Sequence, residues 1–336
     1  MEQTFRAYVL EKQGEEVTGS VQQLTADQLP EGTVTVKVAY SDVNYKDGLA
    51  SRADGKVVNE YPFVPGIDLS GEVVESSDSA FQPGDQVLCT GYKLGVSHYG
   101  GYSEYARVPA EWLVKLPAGL SAEEAMMIGT AGFTAAMSVD ALVQGGVQPQ
   151  DGPILVTGAT GGVGTMAVSI LSRLGYEVHA SSGKAEQSDW LQKLGASQVV
   201  ARQDTEKPVK GALGKTAWAG IIDPTGGAAL GERLKTVKYR GVVAVSGNTA
   251  GVKFESSVFP FILRGVQLIG IDSVYCPVDI RQRIWNHLAR EWKPDTALQQ
   301  GVTVYDMEEI PQALATVLAG QAVGRQLIRI HDQKEA

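Results

Sequence analysis

The sequence predicts a two-domain α/β protein, a small β-rich, barrel-like domain into which a doubly wound parallel sheet is inserted. Three observations lead there. The first third breaks into short strands punctuated by Gly and Pro. From Ile154 onward, strands and helices alternate. The C-terminal tail returns to the character of the first third, so residues 1–122 and 274–336 are expected in one domain and residues 123–273 in the other. A length of 336 residues is enough for two such cores.

In the first domain, "GTVTVKVAYSDV" alternates apolar and polar residues as a half-buried strand does. "LSGEVVESS" and "GDQVLCTG" are further short strands, separated by the turn signal "FQPGDQV". The character changes near Ser121. "SAEEAMMIGTAGFTAAMSVDALVQGG" opens with Ser121 as a cap and acids in the first turn, then continues with helix formers. Gly129, Gly132 and the Thr residues are candidate interruptions. "ILVTG" is a strand, "GVGTMAVSILSRLG" a helix and "YEVHAS" the next strand. "KAEQSDWLQKLG" is then a helix and "SQVVA" a strand, and "AWAGIIDPTGGAALGERLKTVKYRGVVAVSG" gives strand, helix, strand. "GVQLIGID" is one more strand. In the tail, "DIRQRIWNHLAREW" is a helix and "GRQLIRI" a short final strand.

Composition excludes several classes. A hydrophobic fraction of 43% and a charged fraction of 20% are ordinary for a soluble globular chain. No uninterrupted apolar run approaches the roughly 20 residues of a membrane span. The N-terminus, "MEQTFRAYVLEKQGEE", does not read as a secretion signal. Two cysteines, Cys89 and Cys276, are too few for a disulfide framework or a cysteine-rich zinc site, and a reducing cytoplasm is expected. The net charge of -9 argues against nucleic acid as a partner, though a local basic patch still suits an anionic small substrate.

The stretch "ILVTGATGGVGTMAVSILSRLGYEVHASSGK" carries the first chemistry. Gly158, Gly161, Gly162 and Gly164 lie between a strand and a helix, where glycines allow a tight turn and close approach to a pyrophosphate. The helix start adds unpaired N–H groups and a favourable dipole. Dinucleotide sites usually place an acid for the ribose at the end of the second strand. Here Ser181, Ser182, Gly183 and Lys184 stand there instead. Ser182 and Lys184 can donate to a 2′-phosphate, and Arg202, after the third strand, reaches the same corner. The set favours NADPH over NADH. The alternative is that all three are solvated loop residues.

Six further segments carry a family resemblance: "NYKDGLA", "YPFVPGIDLSGEVV", "IGTAGFTAA", "VTGATGGVG", "PFILRGVQLIGIDSVYCP" and "GRQLIRI". Together they run nearly the whole chain. The chain resembles the medium-chain dehydrogenase/reductase superfamily, with a GroES-like first domain and a Rossmann second domain. Within it, the chain resembles the YhdH/YhfP quinone oxidoreductase family, which includes NADPH-dependent acrylyl-CoA reductases. Zinc enzymes of the superfamily use Cys, His and Glu ligands. Asn44 stands in the place of the Cys, and Ile67–Asp68 in that of His–Glu, so no metal is expected. The resemblance implies a homodimeric, metal-free NADPH reductase of a double bond next to a carbonyl or thioester.

It also implies roles for residues. Tyr45 would face the nicotinamide, and Thr160, Gly161, Gly162 and Val163 would hold the pyrophosphate. Ser182, Gly183, Lys184 and Arg202 would hold the 2′-phosphate. Asn248, Ile262 and Ser273 would surround the nicotinamide, and Arg325 would close its far side.

Hydride attack on an activated alkene leaves charge on the carbonyl oxygen, to be met by N–H or O–H donors, and a proton must reach the other carbon. Tyr45 is the leading candidate, as donor or positioner; its other reading is a ring packed over the cofactor. Asn44 and Asp47 share its loop, and Asp47 is either a cap or a proton-transfer group. Thr130 and Thr134 either hold the carboxamide or substrate, or bond back to their helix. His98 and Tyr99 lie in a Gly-rich loop, where a structural role competes with one over the cleft. Asp68 is read as serving the Pro-Gly turn before it, and both cysteines as bystanders. Arg52, Lys56 and Arg281 are candidate contacts for the phosphates of an acyl-CoA. The expected partner is a small enone, quinone or acyl-CoA, with no nucleic acid and no membrane. The rival activities are quinone reduction and NADPH binding without turnover.

Overall fold

The computed structural model describes residues 4–331. The elements run in chain order as follows. A hairpin of β1 (Thr4–Gln13) and β2 (Glu16–Thr25) is followed by β3 (Val34–Asp42), α1 (Tyr45–Ala50), β4 (Asp68–Ser76), β5 (Gln86–Thr90), β6 (Tyr105–Val108) and β7 (Leu113–Lys115). The long α2 (Ala122–Gln144) leads to β8 (Ile154–Val156), α3 (Gly162–Arg173), β9 (Val178–Ser182), α4 (Ser188–Lys193), β10 (Gln198–Ala201) and α5 (Arg202–Thr205). Next come β11 (Trp218–Asp223), α6 (Ala228–Leu234), β12 (Val237–Val245), α7 (Phe259–Arg264) and β13 (Gln267–Gly270). The tail holds α8 (Val278–Leu288), α9 (Asp295–Gln300), β14 (Val302–Asp306), α10 (Ile310–Leu318) and β15 (Arg325–Arg329).

Contacts divide these residues into two units. Residues 4–130, 274–282 and 302–331 form the first, and residues 131–273 and 283–301 the second. Two segments therefore lie on the other side of the division from the sequence expectation. Residues 123–130 go with the first unit because α2 breaks at Gly129, whose φ of 51° and ψ of -160° interrupt the helix. Residues 283–301 go with the second, because their side chains are committed there. Trp285 stacks on Phe133 at 5.8 Å, Arg283 grips both carboxylate oxygens of Asp140 at 2.6 and 2.8 Å, and Trp190 donates to the Gln300 carbonyl.

The first unit is built on a seven-stranded sheet in the order β14-β15-β3-β4-β5-β7, with β6 also pairing β3. Alternating Val34, Val36 and Val38 of β3 join Phe5, Leu10, Leu69, Val73, Val87 and Val108 in one core. Each such aliphatic side chain contributes roughly 1.5–3 kcal/mol when buried. The β1–β2 hairpin was not foreseen. Its second strand alternates exposed and half-buried residues, and only Val17, Val21 and Leu24 pack against the core, a weak apolar signal to read.

The second unit carries six parallel strands in the order β10-β9-β8-β11-β12-β13, the doubly wound arrangement whose strand order reverses beside the central β8. Leu155, Ile221, Val243, Leu230 and Leu234 pack into its core. α2 is the one described helix with the length and hydropathy of a membrane span, but two thirds of that window is buried inside the protein. It is a core helix, not a surface-exposed span.

Candidate active site

In the first unit, the residues singled out around Tyr45 meet in a buried polar hub. Asn44 caps α1, and Asp47 closes the cap by accepting from the Asn44 N–H at 2.8 Å. The other Asp47 oxygen accepts from the Ile67 N–H at 2.9 Å. Asn44 Nδ2 donates to Asp42 at 2.6 Å and to Asp68 at 2.8 Å. Asp68 also accepts from the Thr130 N–H at 2.7 Å and the Thr130 hydroxyl at 2.6 Å. Asp68 therefore serves the broken helix rather than the turn before it. The Arg325 guanidinium lies 2.6 Å from Asp42 and donates to the Met127 carbonyl and to Asn44 Oδ1.

Three aspartates and one guanidinium are thus enclosed together. Burial, opposed by Arg325 and reinforced by Asp68, holds the Asp42 carboxyl well above the usual carboxylate range. Burial likewise pushes Asp47 up to about 7, although the Asn44 and Ile67 N–H groups pull the other way. Asp47 is fully buried and both its oxygens are occupied, so it takes the cap role and not proton transfer to a substrate. Arg325 is 3% exposed and is the counter-ion of Asp42, not a side chain open to a cofactor. Tyr45, in contrast, is 48% exposed at the first position of α1.

This donor set does not fit zinc. Asn44 spends both amide hydrogens on the two carboxylates, Asp42 already faces a guanidinium, and the set has no thiolate or imidazole. Among the described residues, no group of three or more His, Cys, Asp or Glu side chains could hold a metal ion.

In the second unit, Gly158 turns the chain out of β8 with φ of 55°, and Gly164 packs its α-carbon where a Cβ would lie 2.6 Å from Ala159 Cα. Gly161 is the N-cap of α3, and no side chain caps it. Gly162 and Val163, half-buried, begin the helix, and Thr160 is buried beside them. The first-turn N–H groups of α3 therefore form an uncapped anion cradle, which fits a dinucleotide pyrophosphate.

The residues expected at a 2′-phosphate are also brought together. Parallel pairing sets Ala201 beside Ser182, which brings Arg202 next to Gly183: a Cβ there would lie 3.4 Å from the Arg202 guanidinium carbon. Ser182 Oγ accepts from the Lys184 N–H at 3.0 Å, and burial lowers the Lys184 pKa. Arg202 keeps a loose 3.8 Å contact with Glu206 and a side chain that is 67% exposed.

The end of β11 holds a feature that sequence reading missed. Asp223 accepts from Thr157 and Thr225 hydroxyls and from the Thr225 and Gly226 N–H groups, and it pairs with the buried Arg233 at 2.8 Å. The available signal was an acid at a strand end before a glycine pair, "IIDPTGG".

Several other expectations resolve plainly. Asn248 is exposed after β12, Ile262 is 68% exposed on α7, Ser273 is half-buried after β13, and Thr134 is buried in α2. His98 bonds the Arg107 carbonyl and sits edge-on to Trp112, and burial lowers its pKa; Tyr99 donates to the Pro62 carbonyl. Both are structural. Arg281 is 1% exposed, donates to Thr90 and Val274 and covers the Tyr92 ring, so it is no phosphate contact. Arg52 pairs with Asp54, and Lys56 is exposed. Burial raises Cys89 to about 12, an inert thiol.

Residues 30–118 match the family described as the alcohol dehydrogenase GroES-like domain, and residues 162–290 that described as zinc-binding dehydrogenase. The putative quinone oxidoreductase YhfP of Bacillus subtilis is 49% identical over 98% of this chain and 100% of its own. The chain belongs to the YhfP/YhdH quinone oxidoreductase family. The acrylyl-CoA reductase AcuI of Ruegeria pomeroyi, 46% identical over 97% of this chain and 99% of its own, is another relative. Two solved structures are similar throughout. Escherichia coli YhdH with bound NADPH has a TM-score of 0.93 at 43% identity over 97% of this chain and 100% of that one. Bacillus subtilis yhfP with NAD bound has a TM-score of 0.95 at 49% identity over 98% and 100%. Membership fixes the first unit as GroES-like, the second as Rossmann-like, and the protein as an oxidoreductase.

Proposed function

We propose that the protein reduces a carbon–carbon double bond activated by a carbonyl or acyl-CoA thioester, of the acrylyl type, using NADPH and no metal. One observation carries this reading. In a chain 46% identical to an acrylyl-CoA reductase, the place of the zinc ligands is filled by an amide–carboxylate–guanidinium hub whose donors are engaged with one another and do not make a zinc site.

NADPH, when bound, supplies the hydride. Thr160, Gly161, Gly162 and Val163 hold the pyrophosphate at the start of α3. Ser182, Gly183, Lys184 and Arg202 take the 2′-phosphate, and two cations with a hydroxyl suit a dianion that an acid would repel. Asn248, Ile262 and Ser273 line the nicotinamide. Tyr45 offers the exposed phenol of the site, as a donor to the developing enolate oxygen or as the surface that orders the ring. The proton added to the α-carbon comes from a hydroxyl or from water. A quinone is the second reading, supported by 49% identity to a putative quinone oxidoreductase. There the same hydride transfer leaves no carbon to protonate.

A homodimer is part of the proposal. β13 is the edge of its sheet, and the segment entering it exposes Val258 and Leu263. A cytoplasmic location suits its two buried, unbridged cysteines. The test follows NADPH absorbance with acryloyl-CoA, crotonyl-CoA, a simple enone and a small quinone in parallel. Turnover with the acyl-CoA esters is expected, and turnover with quinone alone overturns the alkene reading. Light scattering on the eluted protein gives the mass, and a monomer overturns the dimer.

A further inference from the structure

One carboxylate of the hub has no role of its own in the proposed reduction. Asp68 opens β4 and is fully buried, and three donors from two other elements converge on it: Thr130 N–H, Thr130 Oγ–H and Asn44 Nδ2. Those donors belong to two places where local structure is poorly able to hold itself. One is α1, a six-residue helix that starts with Tyr45 and is too short to be stable alone. The other is the break in α2, where Gly129 adopts a backbone conformation open in practice only to glycine and a Cβ would fall inside the Asp42 carboxylate.

The bonding leaves α1 little freedom. Asn44 has both its amide hydrogens and its oxygen engaged, by Asp42, Asp68 and Arg325. A second bridge runs from Asp47 to the N–H of Ile67, the residue before Asp68. The start of α1 is therefore tied to the start of β4 twice, once through the Asp68 side chain and once through the backbone beside it. Asp68 does not itself face a substrate, and it reaches Tyr45 only through the Asn44 cap.

We propose that Asp68 is a positioning residue for the reduction: its carboxylate, clamped between Asn44 and Thr130, fixes α1 and hence Tyr45 for work on the substrate. This rests on the reading that Tyr45 acts in the reduction. Hydrogen bonds to a charged acceptor are the strong ones, so their loss is large enough to measure.

The test compares Asp68→Ala and Asp68→Asn with the wild type in steady-state kinetics on acryloyl-CoA and in amide hydrogen exchange. In Asp68→Ala, kcat is expected to fall by about 30-fold, while KM for NADPH stays within about threefold. Exchange over residues 45–50 is expected to rise about tenfold or more, with β3 and β5 unchanged. Asp68→Asn keeps one oxygen to accept from Thr130 N–H and Asn44, so it recovers kcat to within about fivefold of the wild type. Unchanged exchange in α1, raised exchange with unchanged kcat, or an Asn variant no better than Ala each overturns the proposal. Where Asp68→Ala does not fold, Asn44→Ala replaces it: it cuts the bridge to α1 and leaves Asp68 on Thr130, and the same two readouts decide. A wild type that reduces none of the acceptors defeats the functional reading, whereas the exchange measurement still reports on Asp68.

Discussion

Replacing Arg233 with Ala removes the cation from a charge pair sealed in the second unit. Arg233 is 3% exposed and Asp223 fully buried, and Arg233 NH1 donates to Asp223 Oδ2 at 2.8 Å and to Thr225 Oγ1 at 3.3 Å. Breaking such a pair from one side costs about 3–5 kcal/mol, because the remaining charge stays buried without its counter-ion. Asp223 keeps donors at 3.0, 2.9, 2.7 and 2.9 Å from Thr157, Thr225 and Gly226, which places the expected loss near the lower figure. At about 2–4 °C per kcal/mol for a unit of this size, a 3 kcal/mol loss lowers its melting point by about 6–12 °C. The double variant Arg233→Met, Asp223→Asn removes both charges and should regain about half of the loss. Urea and thermal unfolding followed by circular dichroism measure all three proteins. A single-variant loss below about 1 kcal/mol, or a double variant less stable than the single, refutes the buried-pair argument.

Lys184→Glu should weaken NADPH by about 10- to 100-fold and leave NADH within about threefold, read by fluorescence titration; equal losses refute the phosphate role. Gly129→Ala should cost at least about 3 kcal/mol in urea unfolding, since the backbone is strained for any side chain and the new carbon meets Asp42; a loss under 1 kcal/mol refutes it. Asp47, pushed up to about 7, holds its proton when folded at pH values where the unfolded chain, with a pKa of about 3.9, has released it. The folded state then binds more protons across that window, so this group's stabilising contribution is complete below about pH 4 and is lost as pH rises towards 7. Asp47→Asn should flatten that slope, and a wild-type stability that rises with pH relative to the variant contradicts the assignment.

The parts of the site legible in the sequence were those whose residues are neighbours in the chain. Gly158 to Gly164 and Ser182 to Lys184 each lie on one strand–loop–helix connection, and Arg202 follows the strand that pairs with β9, so a regular parallel register was enough to assemble them. The hub was legible only in part. Its members come from four separate places, the 42–47 segment, Asp68, Thr130 and Arg325, and the antiparallel pairing of β15 with β3 brings Arg325 to Asp42. Read singly, Asp68 looked like a turn residue, and the family resemblance cast Arg325 as a cofactor contact. The tail shows the same limit. The helix around Arg283 was visible from its pattern, but the pairing with Asp140 and the Trp285–Phe133 stack, which assign residues 283–301 to the second unit, were not.

The hub also explains how a site built on a zinc enzyme's frame keeps its shape. A metal ion would gather side chains from α1 and β4 by coordination. Here Asn44 gathers them by hydrogen bonds, because a single amide can donate to two carboxylates and accept from a guanidinium at once. That solution has an electrostatic consequence. One Arg325 faces three enclosed carboxyls, and burial raises both Asp42 and Asp47 above the usual carboxylate range, Asp47 to about 7. Near neutral pH a proton on Asp47 can relieve part of that crowding of carboxyls. The geometry around Tyr45 is then held without an exposed electrophile, which leaves polarisation of the substrate carbonyl to N–H and O–H donors. Such donors can meet the diffuse charge of an enolate, but they lack the Lewis acidity by which zinc stabilises an alkoxide.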